Sequence, residues 1–253
     1  MEGHFLTDRG QVRAHNEDSG GIFSNSHGQY LAIIADGMGG HQAGDVASDM
    51  ATTILENKWK EIKGFDSPEE VEEWLQQSLL DANTSIYQLS LEKEECQGMG
   101  TTVVVAVCTG EFITVAHIGD SRCYLFNDFS FKQITEDHSL VNALVQSGQI
   151  SKDDAMYHPR KNVVLRALGT NELVEPDIQT INWEAGDRLL LCSDGLTDKV
   201  HDGELADYLK STDDIGEVGK RLVDLANERG GEDNVSLIIL QHETSLEEGE
   251  PPC

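Results

Sequence analysis

The sequence predicts a layered α/β domain in which stacked sheets lie between helices, and two features of its pattern carry that prediction. Two long helical segments follow one another directly after a strand, which a doubly wound fold with single crossover helices does not produce. The middle of the chain then changes period to β-rich runs. One of these, Thr101–Cys108, is apolar nearly throughout, as in a central strand covered on both faces.

The elements follow in order. From Tyr30, YLAIIAD reads as a strand that runs straight into the glycine-rich turn DGMGGHQAG. From about Gln42 to Lys60, Ala43, Val46, Ala47, Met50, Ala51, Ile54 and Leu55 recur at helical spacing. Asp66–Ser67 then offers a cap and Pro68 a first-turn proline, predicting a second helix to about Leu89. The stretch from Thr101 to Thr135 holds runs separated by TGE, GDS and NDF and reads as an antiparallel meander. From about Asp137 to Leu168 the rhythm breaks, with short helical pieces around Pro159, as expected of an excursion from the core near the site. The last strands are IQTINW, DRLLLCSD and NVSLIILQH, with a helix from about Ile215 to Glu228 between the final two. Residues 1–240 therefore read as one domain, and 241–253 as an acidic disordered tail.

At 253 residues the chain is long enough to bury a substantial core. Its 46 acids against 18 bases give a formal charge of -28, which repels nucleic-acid phosphates and anionic membrane surfaces. No apolar run approaches ~18 residues, and the N-terminus lacks the apolar core of a signal peptide, so a cytoplasmic protein is expected. The 5 cysteines are scattered without a CxxC pair, as in a protein whose thiols stay reduced. No heptad pattern suggests assembly, and a monomer is expected.

Aspartate recurs at strand ends. Asp36 closes the first strong strand and is followed by Gly37; Asp194 ends LLLCSD; Asp233 precedes the last strand; Asp120 sits in the turn between two central strands. Hard divalent cations take oxygen ligands, so carboxylates gathered in this way read as a multi-metal site for manganese or magnesium rather than zinc. Two cations a few ångströms apart need a shared carboxylate to offset their repulsion, and water acidified by them is a nucleophile at neutral pH. No cysteine is followed by five residues and an arginine, the pattern a cysteine-based phosphatase needs. Nor is there a GxGxxG fingerprint or a P-loop. Arg13, close before Glu17 and Asp18, is the candidate to hold phosphate oxygens, since a guanidinium matches them bidentately.

With RAHNED, ADGMGGHQAG, GMGTT, HIGDSR, TEDHS, LLLCSDGLTD and GEDNVS in order between about Phe5 and Leu240, the chain resembles the metal-dependent PPM (PP2C-type) serine/threonine protein phosphatases in their compact bacterial form. That resemblance implies an α-β-β-α arrangement, a central antiparallel β-sandwich flanked by helix pairs, with a flap subdomain over about 139–170. It implies hydrolysis of phosphoserine and phosphothreonine in proteins at two core Mn²⁺ or Mg²⁺ ions, opposing a serine/threonine kinase. Asp36 would bridge the ions, with the Gly37 carbonyl on one and Asp194 and Asp233 on the other. Asp120 would join Asp194 around a third, weaker position, Arg13 would hold the phosphate, and Asp18 would orient water. Animal members carry histidine directly after the DG pair; here Met38 stands there, and His41, or a metal-bound water, is the expected acid for the leaving alcohol. The competing readings are another metal-dependent phosphoesterase, or a phosphoprotein-binding module with a weak or inactive site.

Overall fold

The computed structural model describes residues 1–39 and 43–243. In chain order the elements are β1 (Glu2–Asp8), β2 (Asp18–Ser24), β3 (Tyr30–Met38), α1 (Ala43–Lys60), α2 (Pro68–Glu92), β4 (Gly100–Thr101), β5 (Val103–Cys108), β6 (Phe112–Ile118), β7 (Arg122–Phe126) and β8 (Phe131–Gln133). There follow α3 (Leu140–Gln146), α4 (Lys152–Met156), β9 (Asp177–Asn182), β10 (Arg188–Cys192), α5 (Asp194–Thr197), α6 (Asp202–Leu209), α7 (Ile215–Glu228) and β11 (Val235–Gln241). They form two antiparallel sheets, β1-β11-β10-β7-β8 and β2-β3-β5-β6-β9, the short β4 pairing with β3.

Successive side chains on a strand point to opposite faces, and here that alternation sorts the apolar residues into three cores. Leu31, Ile33 and Val105 pack under α1 and α2 with Leu55 and Leu79. Their neighbours Ala32, Ile34, Val104 and Ala106 face the other way, against Leu189, Leu191, Ile238 and Leu240 of the second sheet. The opposite face of that sheet, with Leu190, Leu237 and Ile239, is covered by Leu205, Leu222 and Ala226 from α6 and α7. Both sheets are thus dry on both sides, the α-β-β-α layering expected of this sequence.

The helix signals hold. Ser67 caps α2 by accepting from the Glu70 amide at 3.4 Å, Pro68 occupies the first turn, and the helix runs three residues beyond Leu89. Between β8 and β9 the chain makes an excursion that carries α3 and α4, and Leu140 N–H donates to the Val163 carbonyl at 2.8 Å to close its base.

The 101–135 stretch is not one meander. β5 and β6 form a hairpin, but the chain then crosses at Gly119–Ser121 into the other sheet, where β7 pairs with β10. Gly119 makes the crossing with φ +112, and a Cβ there would lie 2.6 Å from the Thr102 side chain. A period of two is the same whichever sheet a strand joins, so the pattern could not show this. Residues 241–243, with which the tail was expected to open, are tied to the fold. Gln241 belongs to β11, the His242 amide donates to the Asp187 carbonyl at 3.0 Å, and the Met1 amino group reaches Glu243 at 2.7 Å. Residues 244–253 lie outside the described residues. Among the described residues no helix is long and apolar enough to cross a membrane, and Cys96, Cys108, Cys123 and Cys192 are free and buried.

Candidate metal centre

Strands of both sheets end at one edge of the sandwich, and each delivers a carboxylate there. Asp18 opens β2 directly opposite Asp36 on β3. Asp194 follows β10 as the first residue of α5, Asp233 lies just ahead of β11, and Asp120 occupies the crossing between the sheets. The structure thus gathers every sequence-predicted carboxylate. His41 lies outside the described residues.

The edge is held by hydrogen bonds that run between the sheets. Asn234 accepts from the Glu17 amide at 2.8 Å and donates to the carbonyls of Arg9 and His15 at 2.8 and 3.0 Å, tying the loop before β2 to β11. The Ser193 hydroxyl donates to Asp18 Oδ2 at 2.8 Å and accepts from the Ser236 amide at 3.0 Å. Thr102 accepts from the Asp36 amide at 3.1 Å and shares a hydroxyl hydrogen bond with Ser121 at 2.7 Å, linking Asp36 to the Asp120 crossing. Gly37 and Gly195 allow the close approaches. A Cβ at Gly37 would lie 2.1 Å from the Gly44 carbonyl oxygen, and one at Gly195 would lie 1.9 Å from that of Asn234.

These carboxylates repel one another. Loss of hydration, then the charges of Asp18, Asp194, Asp120 and Asp233, hold the Asp36 carboxyl well above the ordinary range. Asp194 is raised for the same reasons, burial first and then Asp120, Asp198, Asp233 and Asp18. Burial pushes Asp18 up to about 6 against the hydrogen bonds of Ser236 and Ser193, and pushes Asp120 up to about 6 with help from Asp137. Asp18 Oδ1 is buried and has no hydrogen-bond partner among the described residues. A buried orphan oxygen among surplus like charges is costly unless something cationic or a proton donor completes it.

Arg13 is at the same edge, but its partner is not a local acid: Nη2 donates to Asp233 Oδ2 at 2.6 Å. Burial alone would lower its pKa; the Asp233 contact and the nearby charges of Glu17 and Asp36 override that and raise it. Sequence reasoning missed Asp198, whose charge raises both Asp194 and Asp120 and which pairs with Lys161 of the flap. The signal was in SDGLTD, where Asp198 falls one helical turn after Asp194. It also missed Ser193 and Asn234, whose roles come from contacts across more than 170 residues of chain.

Behind the Asp120 crossing lies a second cluster, His117, His138 and Asp177, whose ligand atoms all fall within 4.8 Å of one another and which could hold one metal ion. As built, its cation is Arg166, whose guanidinium donates to Asp177 Oδ1 at 2.6 Å and abuts His138 Nε2. The Gly119 amide donates to His138 Nδ1 at 3.1 Å, so the ring proton sits on Nε2, which faces Asp177 Oδ2 at 3.3 Å. An ion would have to shift that proton and displace Arg166. Burial, then the stacked His117 ring, depress the His138 pKa to about 4.

The family model for protein phosphatase 2C matches residues 8–233. A serine/threonine phosphatase, stp, of Listeria monocytogenes serotype 4b is 46% identical over 243 residues, which is 96% of either chain. The crystal structure of the serine/threonine phosphatase Stp1 from Staphylococcus aureus superposes with a TM-score of 0.91 at 40% identity, over 96% of this chain and 95% of that one. The catalytic domain of the serine/threonine protein phosphatase PstP, solved in complex with 2 manganese ions, superposes with a TM-score of 0.84 at 35% identity, over 96% of this chain and 98% of that one.

Proposed function

Because the chain belongs to the protein phosphatase 2C family and is a metal-dependent serine/threonine phosphatase, we propose that the aspartates at this edge hold its ions: Asp36 shared between two, the Gly37 carbonyl on one, Asp194 and Asp233 on the other, and Asp120 with Asp194 around a third, weaker one. The observation that carries the assignment is the mutual repulsion of Asp36, Asp194, Asp18, Asp120 and Asp233 around one edge, beyond what the guanidiniums of Arg13 and Arg122 offset. An all-oxygen donor set suits Mn²⁺ or Mg²⁺, and the manganese pair in the PstP domain supports two core ions. Bound there, such ions supply Lewis acidity toward the phosphoryl oxygens and acidify water.

The protein's own groups divide the remaining work. Ser193 occupies Asp18 Oδ2, so Oδ1 is left to accept a hydrogen bond from the attacking water and to aim it. Arg13, held at this edge by Asp233, would present two parallel donors to the phosphoryl oxygens. His41 delivers the proton to the departing serine or threonine oxygen. The flap beside the edge meets the polypeptide around the phosphorylated residue. The substrates are phosphorylated proteins and the opposing enzyme a serine/threonine kinase. The chain acts as a cytoplasmic monomer, a reading supported by its free thiols and its charge of -28.

Phosphate release from a phosphothreonine peptide by purified protein, with and without Mn²⁺, tests the reading; no turnover by folded, Mn²⁺-loaded protein would overturn it. Arg13→Ala lowers kcat/KM about 10- to 100-fold, the loss of a charge-assisted bidentate contact of roughly 1.5–3 kcal/mol. Arg13→Lys restores part of that loss. His41→Gln slows alkyl phosphates more than phenyl phosphates, since a phenolate leaves without protonation. Equal slowing of both classes would remove His41 from the reaction.

A further inference from the structure

His138 stands where the flap returns to the core, and all four of its polar groups are used there. Its backbone N–H donates to the Gly119 carbonyl at 2.9 Å, and its Nδ1 accepts from the Gly119 amide at 3.1 Å, so both backbone groups of the residue before Asp120 are held by one side chain and its own peptide. Its carbonyl accepts from Leu165 N–H of the flap's returning segment at 2.7 Å. Its Nε2 faces Asp177 Oδ2 at 3.3 Å, and the other oxygen of Asp177 takes Arg166, also from the returning segment, at 2.6 Å. Behind the ring, His117 stacks at 4.6 Å and directs its own Nε2 to the Glu136 carbonyl at 2.8 Å. Arg122, on the far side of Asp120, grips Asp137 with two donors at 2.9 and 2.7 Å.

One continuous chain of contacts therefore runs from Arg166 in the flap through Asp177, His138 and Gly119 to Asp120. Hydrogen-bonded chains polarise their members, and every polar atom of His138 is engaged in this one, Nε2 against both Asp177 and Arg166. We propose that His138 is a positioning residue that couples the place of the flap to the placement of Asp120. Its consequence for catalysis rests on Asp120 serving at the edge as assigned above; the coupling itself does not.

The Gly119 amide is its direct reporter. In the full-length, metal-free protein, hydrogen exchange of that amide, followed by NMR, is protected by His138 Nδ1. Asp177→Ala removes the acceptor shared by His138 Nε2 and Arg166 without touching Gly119, and raises Gly119 exchange about 10-fold. In His138→Asn, the Asn Oδ1 takes over as acceptor for Gly119 but cannot reach Asp177, so protection is retained and the further change Asp177→Ala leaves it unaltered. Non-additivity of this sort identifies His138 as the link. The proposal is overturned if Asp177→Ala leaves Gly119 exchange at the wild-type rate, or if it raises exchange equally in both backgrounds, which would mean general loosening. Asp177→Ala is a safe variant, since the side chain is half exposed. With Mn²⁺ present, Asp177→Ala also lowers turnover of the phosphothreonine peptide about 10-fold, as loss of an outer support for a site does. Calorimetric Mn²⁺ binding to Asp120→Asn separates the two ideas: binding equal to wild type would remove Asp120 from the ion site and leave the exchange result standing.

Discussion

Asp36→Asn abolishes Mn²⁺-dependent release of phosphate, by at least about 10³-fold, and does so without weakening the metal-free fold. The loss follows from place and charge. Asp36 lies near the end of β3, a central strand buried between α1 and the second sheet, and faces the charges of Asp18, Asp194, Asp120 and Asp233. Asparagine keeps the shape and removes the charge that the proposed cations would share; losing several kcal/mol of charge stabilisation costs about tenfold in rate for each 1.36 kcal/mol. In the metal-free protein that same charge is repelled by Asp18, Asp194, Asp120 and Asp233, so its removal leaves the melting temperature unchanged or higher. Added Mn²⁺ then raises the melting temperature of the wild type and not of the variant. A variant that melts well below the metal-free wild type would show Asp36 to be a structural group and its inactivity to be misfolding.

Chelated wild-type protein is more stable at pH 5 than at pH 7.5, the reverse of ordinary acid lability. Asp18 and Asp120 have folded pKa values raised to about 6, above the roughly 3.9 of an unfolded aspartate, and Asp36 and Asp194 are raised further. A raised folded pKa means that the folded state binds protons more tightly than the unfolded one. Stability is then complete below the unfolded value and falls as pH rises through about 6. The gain on acidification is on the order of 1–3 kcal/mol, less than the sum of the separate shifts because the groups titrate together. Carboxylates stabilised by partners, such as Glu204 held to about 2 by its hydrogen bond from Arg229, titrate below this window and do not confuse it. Mn²⁺ at 100 times its dissociation constant restores about 2.7 kcal/mol at pH 7.5, and restores less at pH 5, where protons compete for the same oxygens. Denaturant melts of chelated and loaded protein at the two pH values check both signs. A chelated protein that weakens steadily from pH 7.5 to 5 would mean that these aspartates are not the crowded group described.

Much of this was readable before any coordinates. Helical spacing and a Ser-Pro start placed α1 and α2, and a strand apolar on both faces placed β5 between layers. β1 and β2 were not legible: EGHFLTD and DSGGIFS mix polar residues and glycines with their apolar ones, and they become strands because β11 and β3 offer them a hydrogen-bonding edge. Tertiary pairing overrode weak local preference there.

The same division runs through the site. Aspartate at the edge of an apolar run, or in the turn between two of them, is a local signal, and it named Asp36, Asp120, Asp194 and Asp233 because strand ends and tight turns are written in neighbouring residues. The sequence by itself thus determined the layers and the acidic residues that the strand ends and turns carry. Only the tertiary structure decided that Arg13 answers Asp233 rather than its neighbours, that Ser193 and Asn234 hold the two sheets together at this edge, that β6 and β7 part company at Asp120, and that His138 joins the flap to that corner. Each of those is a contact between residues distant in the chain, and a local pattern of period or charge carries no record of which distant partner closes it.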